Sequence, residues 1–198
     1  MKKYAVLLAL AVSLLLVQAA AANLVVNGGF ESGKFLPGWT YSATLDYAGV
    51  DKFPPDLPHS GIFYGYFGNY NTRDNTTLMG FLSQTIATTP GASYEVSFWL
   101  WSYGVPGNIS NQFQAKWDGN IIFAQTDIPG DWPVIYTQYQ FTEVATGSST
   151  VLEFGLSNVP GWMYMDDISV NQVPIPGAVW LLGSGLVGLA GLRRKFKS

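Results

Sequence analysis

In the stretch WMYMDDISV, residues 162–170, two adjacent carboxylates stand inside a run of apolar side chains. Strand alternation places Tyr164, Asp166, Ile168 and Val170 on one face, and Met163, Met165, Asp167 and Ser169 on the other. If Ile168 and Val170 look into a core, Asp166 looks in with them. A buried carboxylate without a partner is costly, so it requires a cation or several hydrogen-bond donors. Basic partners are scarce: away from the chain ends there are only Lys34, Lys52, Arg73 and Lys116. A calcium ion held through hard oxygen ligands meets the requirement. So does a position at a strand end where backbone amides reach the carboxylate.

A second group of residues suits sugar chemistry. A pyranose ring has an apolar face and a polar rim, so it is held by rigid aromatic surfaces beside amides and carboxylates. Along residues 93–103, Trp99, Trp101 and Tyr103 share a face with Glu95 and Ser97, while Tyr94, Val96, Phe98 and Leu100 take the other. Gln112, Gln114 or Lys116 can supply the rim if their strand lies alongside with the same face outward. Tyr66, Trp132 and Tyr136 are further aromatic candidates. The competing reading is that these tryptophans pack within or between sheets. Catalytic patterns are thin. His59, the single histidine, sits beside Ser60 in a proline-rich stretch, and no nucleophile-elbow sequence is present. A pair of carboxylates for glycoside hydrolysis stays open as a minor alternative.

The elements that must position these residues are strands. Residues 23–172 show no sustained 3.6-residue periodicity. They show short runs of Val, Ile, Thr and aromatics divided by Gly, Pro, Asn and Asp. Strands are expected at 24–27, 39–45, 61–68, 78–87, 93–103, 112–117, 120–127, 135–143, 149–157 and 162–170. Asp118-Gly119 predicts a tight hairpin between the sixth and seventh of these. The stretch 46–60, with its prolines, reads as a surface loop, and Trp39 reads as core. So many short strands without helices predict an all-β sandwich.

The two ends of the chain have a different character. Lys2 and Lys3, an apolar run from Ala5 to Val17 and Ala20-Ala21-Ala22 make residues 1–22 a secretory signal peptide. Residues 177–192 are uncharged and Arg193, Arg194, Lys195 and Lys197 follow, which predicts a transmembrane helix with its basic end inside. At about 1.5 Å per residue that helix spans roughly 24 Å, short of the roughly 30 Å hydrocarbon core. The domain between, residues 23–172, holds 4 basic residues against 13 acidic ones, a net charge of −9. Such a surface repels nucleic acid and anionic headgroups. With no cysteine in the chain, disulfides, thiolate metal sites and cysteine nucleophiles are excluded.

Two resemblances follow from these residues. NLVVNGGFESG at 23–33 with PGW at 37–39, SQTIATTPGASYEVSFWL at 83–100 and MYMDDISV at 163–170 resemble the carbohydrate-binding-module type of galactose-binding-like jelly roll. The resemblance implies a jelly-roll β-sandwich over 23–172 and a structural calcium near the domain's termini, with Glu31 and Asp166 as its carboxylate ligands. Val173-Pro174-Ile175-Pro176, the apolar segment after it and the basic cluster resemble the PEP-CTERM sorting signal, with Ile175 where the family usually has glutamate. Residues 173–198 would then be a sorting tail, with Val173, Pro174, Pro176, Arg193 and Arg194 as its motif. An exosortase-type membrane protease is the implied partner. Such proteins belong to Gram-negative, exopolysaccharide-making bacteria and pass from the inner membrane to the cell surface or extracellular matrix.

The expected function is non-catalytic contact with polysaccharide, through Trp99, Trp101 and Tyr103. A structural or adhesive matrix role without a sugar site is the alternative, and a glycan-active enzyme a lesser one.

Overall fold

The computed structural model describes residues 22–42, 47–52, 57–68, 79–104, 111–130, 133–158 and 161–174. The expected signal peptide (save Ala22), Pro176, the helix at 177–192, Arg193 and Arg194 lie outside these residues, as do Arg73 and Trp132. Among the described residues, no helix is long and apolar enough to cross a membrane.

Ala22–Gln172 form one compact unit, whose described residues make ten strands: β1 Thr40–Tyr41, β2 Tyr47–Asp51, β3 Tyr64–Gly68, β4 Gly80–Ala87, β5 Ser93–Gly104, β6 Asn111–Trp117, β7 Asn120–Thr126, β8 Thr137–Val144, β9 Ser149–Asn158 and β10 Gly161–Gln172. They make two five-stranded sheets, ordered β1-β4-β9-β6-β7 and β2-β3-β10-β5-β8. Every pairing is antiparallel. This is the all-β sandwich expected.

Alternation builds the core. Leu82 and Ile86 of β4, Val96, Phe98 and Leu100 of β5, Phe113 and Ala115 of β6, and Leu152, Phe154 and Leu156 of β9 are all buried between the sheets. Phe98 lies at the centre, 5.3 Å from Phe113 and 5.2 Å from Phe154 between ring centroids. Trp39 is buried as expected and donates its indole N–H to the Asn27 carbonyl at 3.0 Å. The β6–β7 hairpin turns at Asp118 and Gly119, whose φ of 51° and 81° suit a primed two-residue turn.

Three expectations needed correction. Residues 24–27 form turns rather than a strand, with Asn27 and Phe30 left-handed, although the Leu24 amide does bond the Val170 carbonyl at 2.8 Å. β2 lies inside the stretch assigned to a loop, as an edge strand beside β3. The third correction concerns β10. Asp166 pairs with Trp99 and Ser169 with Ser97, so β10 has one residue more than β5 between those positions. This bulge, with Asp167 at φ 48°, reverses the alternation. Met163 and Met165 therefore join Ile168 and Val170 in the core, while Tyr164 faces away from it.

Candidate functional site

The outer face of the β2-β3-β10-β5-β8 sheet is aromatic. Ala48 and Val50, Phe67, Met163 and Met165, and Val96, Phe98 and Leu100 face the core, so their strand neighbours face away. Cross-strand register sets Gly49, Tyr66, Tyr164 and Trp101 in one row, and places Trp162 opposite Tyr103. Tyr66 and Trp162 meet edge to face at 5.5 Å, and Tyr47 and Trp162 at 6.5 Å.

Two overlying segments divide this face. Leu57, Tyr64 and Trp101 are buried together, with Val134, Tyr136, Tyr66 and Tyr164 packed around them. Tyr136 donates its hydroxyl to the Leu57 carbonyl at 2.9 Å, tying residues 133–136 to 57–60. His59 lies flat on Trp99, centroids 3.8 Å apart and planes 19° apart. Trp101 is 3% exposed and stacks on Tyr164 at 4.6 Å. Of the three expected platform residues, Trp101 is therefore packed away, Trp99 has His59 on its ring, and Tyr103 is open at 43% exposure. Gln112, Gln114 and Lys116 belong to β6 in the opposite sheet, so they cannot rim this face; Lys116 instead pairs with Glu153 at 3.0 Å.

The open half lies across β2, β3 and the start of β10. A cleft of about 180 Å³ there is lined by Asp51, Tyr66, Trp162 and Tyr164. Burial pushes the Tyr164 phenol up to about 12, with Tyr103 adding to the rise. The Tyr64 phenol is also raised, first by burial and then by the negative charge of Asp51. Both phenols stay protonated at neutral pH and can donate hydrogen bonds. A larger hollow of about 420 Å³ beside Phe35, Leu36, Tyr41 and Val50 has one charged lining residue, Lys34, and no amide or carboxylate side chain.

Asp166 is fully buried at the boundary of the covered half. Its Oδ2 accepts the amides of His59 at 2.9 Å and Ser60 at 3.1 Å, and its Oδ1 accepts the Asp167 amide at 2.8 Å. Burial pushes its carboxyl up to about 6, the Asp167 charge adds to the rise, and the three amides oppose it. Asp167 in turn takes His59 Nδ1 at 2.6 Å and Ser60 Oγ at 2.8 Å. His59 and Ser60 thus converge on one carboxylate rather than on each other, which is not the relay of an activated serine.

Glu31 Oε1 accepts the amides of Ile62 at 2.9 Å and Phe63 at 3.1 Å. The donor chemistry around Gly29 suits a hard cation: a Cβ placed there would lie 3.5 Å from Asp167 Oδ1, 3.7 Å from Asp166 Oδ1 and 3.8 Å from Glu31 Cγ. Yet the two expected ligands already hold five backbone N–H groups between them. Among the described residues no three acidic or histidine side chains gather as a metal-holding set. Gly28 is where the N-terminal segment presses on the bulge, since a Cβ there would collide with the Ile168 carbonyl oxygen.

The sequence singled out Trp99 and Trp101 but passed over Trp162, Tyr47 and Asp51. Trp162 before Met163 and Tyr164 before Met165 were the available signal, hidden by counting alternation through the bulge.

No protein-family model matches the chain, and neither does any curated protein. Solved structures do. TmCBM61 in complex with β-1,4-galactotriose is 20% identical over 77% of this chain and 100% of its own, with a TM-score of 0.56. A structure described as CBM4 is 18% identical over 75% of this chain and 99% of its own, at 0.51. A Stig cyclase from Fischerella sp. TAU, solved in complex with an indole ligand, is 14% identical over 79% and 99%, at 0.57. The likeness is one of fold alone: the chain shares its two-sheet sandwich with carbohydrate-binding modules and with a cyclase.

Proposed function

We propose that this is an exported surface protein that binds polysaccharide without transforming it. The observation that carries the reading is the open aromatic half of the outer sheet face, where Tyr47 and Tyr66 meet Trp162, Tyr103 lies opposite Trp162, and Asp51 lines a cleft with Tyr66, Trp162 and Tyr164. Rigid rings supply the apolar contact a sugar face needs, and the phenols and the Asp51 carboxylate supply its polar rim. The fold shared with TmCBM61 and CBM4 supports the same reading. Residues 1–22 would direct export. The tail from Val173 would hold the chain in the inner membrane until an exosortase-type protease passes it to the surface or matrix. A glycan array probed with the full-length protein tests the binding. Retention on at least one polysaccharide is expected, and an array without any signal leaves an adhesive or structural role in its place.

Calcium belongs to the same proposal, with Glu31 and Asp166 as ligands. What supports it is a buried carboxylate with no Lys or Arg partner among the described residues, beside a second one at Asp167. Bound calcium stabilises the folded state by mass action. Thermal unfolding in millimolar calcium should therefore exceed that in chelator by several degrees, roughly the shift of 1–2 kcal/mol for a domain of this size. Equal midpoints would remove the metal from the account.

A further inference from the structure

Asp51 has an unusual setting for an acid on a sugar-binding surface. It ends β2 on the outer face, is exposed, and its one described hydrogen bond is from the Lys52 amide at 2.7 Å. No basic side chain pairs with it among the described residues, where the ion pairs are His59–Asp167 and Lys116–Glu153. Lys52 is the nearest cation in sequence, but its Nζ is placed over the Phe63 ring, 5.9 Å from the centroid. The carboxylate's charge is thus left to the cleft it lines with Tyr66, Trp162 and Tyr164.

The ring angles matter as much as the charge. A neutral pyranose prefers a broad open platform. Here the two lining rings Tyr66 and Trp162 meet at 70°, and Tyr47 braces Trp162 from outside the cleft at 82°. Steeply set rings make walls, and walls of π-electron density around a carboxylate suit a compact cation. The volume of about 180 Å³ admits one sugar unit rather than a long stretch of chain. Uronates and sulfated sugars would be repelled, because no described lysine or arginine lines the cleft and the 23–172 region carries −9.

We propose that this cleft takes the protonated amine of an amino sugar, so that the polysaccharide bound is one with free, deacetylated glucosamine-type units. The inference rests on the reading of this face as polysaccharide-binding and names its substrate class. The ammonium sits between Asp51 and the ring faces of Trp162 and Tyr66, and an N-acetyl group, neutral and bulkier, loses both attractions.

The test is calorimetric titration of the full-length protein with hexaglucosamine, hexa-N-acetylglucosamine and cellohexaose. Hexaglucosamine should bind about tenfold more tightly than either of the others. Asp51→Asn should bring hexaglucosamine affinity down to that for cellohexaose while leaving the unfolding midpoint as it is. Asp127→Asn removes the same charge from the end of β7 in the other sheet and should change hexaglucosamine binding by less than about twofold. Equal or weaker binding of hexaglucosamine overturns the proposal. So does an equal loss in the two variants, which would mean bulk charge attraction. If Trp162→Ala still weakens a neutral glycan in either case, polysaccharide binding stands and only the amine specificity falls.

Discussion

Asp166→Ala should lower the unfolding free energy by about 3 kcal/mol at pH 7, more than any exposed substitution on this domain. The carboxylate is fully buried and is the acceptor for three backbone N–H groups, two of them from the segment that covers Trp99. Removing it leaves those donors without a partner and leaves residues 59–60 held through Asp167 and the Trp99 ring. Relief of the buried charge offsets part of the loss, and the orphaned amides dominate.

The same group gives a pH signature. In chelator its carboxyl is pushed up to about 6 from 3.8, so the folded state binds the proton more tightly than the unfolded one. Its stabilising contribution is fully present below pH 3.8 and is lost as pH rises through about 6. Asp166→Asn cannot titrate, so urea unfolding in chelator should show a flatter profile between pH 4 and 7 than the unsubstituted protein. Parallel profiles would show that Asp166 is not the titrating group. Calcium, which binds the carboxylate form, should reverse the slope it contributes.

The second large effect is on binding. Trp162→Ala should weaken any glycan held by the outer face by about 30-fold, the loss of roughly 2 kcal/mol that a central aromatic anchor supplies. Trp162 touches Tyr47 and Tyr66, packs over Gly68 and lines the cleft. Removing it opens both walls. Trp101→Ala is the informative contrast. That ring is buried beneath Leu57 and Tyr136, so its loss should appear as a lower unfolding midpoint. Titration calorimetry beside thermal unfolding separates the two, and an unchanged affinity for Trp162→Ala would dismiss the cleft.

The fold was legible wherever a strand alternates without interruption. β5 shows this best: Tyr94, Val96, Phe98 and Leu100 were assigned to the core from spacing, and all four are buried there. The hairpin at Asp118-Gly119 was equally plain, because its turn needs residues that accept positive φ. What was illegible depended on partners far along the chain. A bulge is one residue too many relative to β5, and nothing local in MYMDDISV says so. β2 hides beside proline-rich sequence because it pairs on one side only, with β3. The burial of Trp101 depends on residues 57–60 and 133–136, which sequence spacing places nowhere near it. The aromatic character of this sheet face was therefore readable from spacing, and which half of it is covered was not.

β10 is the middle strand of its sheet and the last before residue 173. Any pull transmitted through the following residues enters the domain along this strand. It is flanked by β5 over ten paired positions and by β3 over three, with the N-terminal Leu24 amide bonded near its end. Load applied along the axis of such a strand strains its ladder in shear, so many hydrogen bonds resist together instead of opening one by one. The bulge at Asp167 adds a mechanical stop, because Gly28 sits directly against the Ile168 carbonyl. The strand that carries Trp162 and Tyr164 on its outer side is thus also the one along which any load at residue 173 would enter the domain.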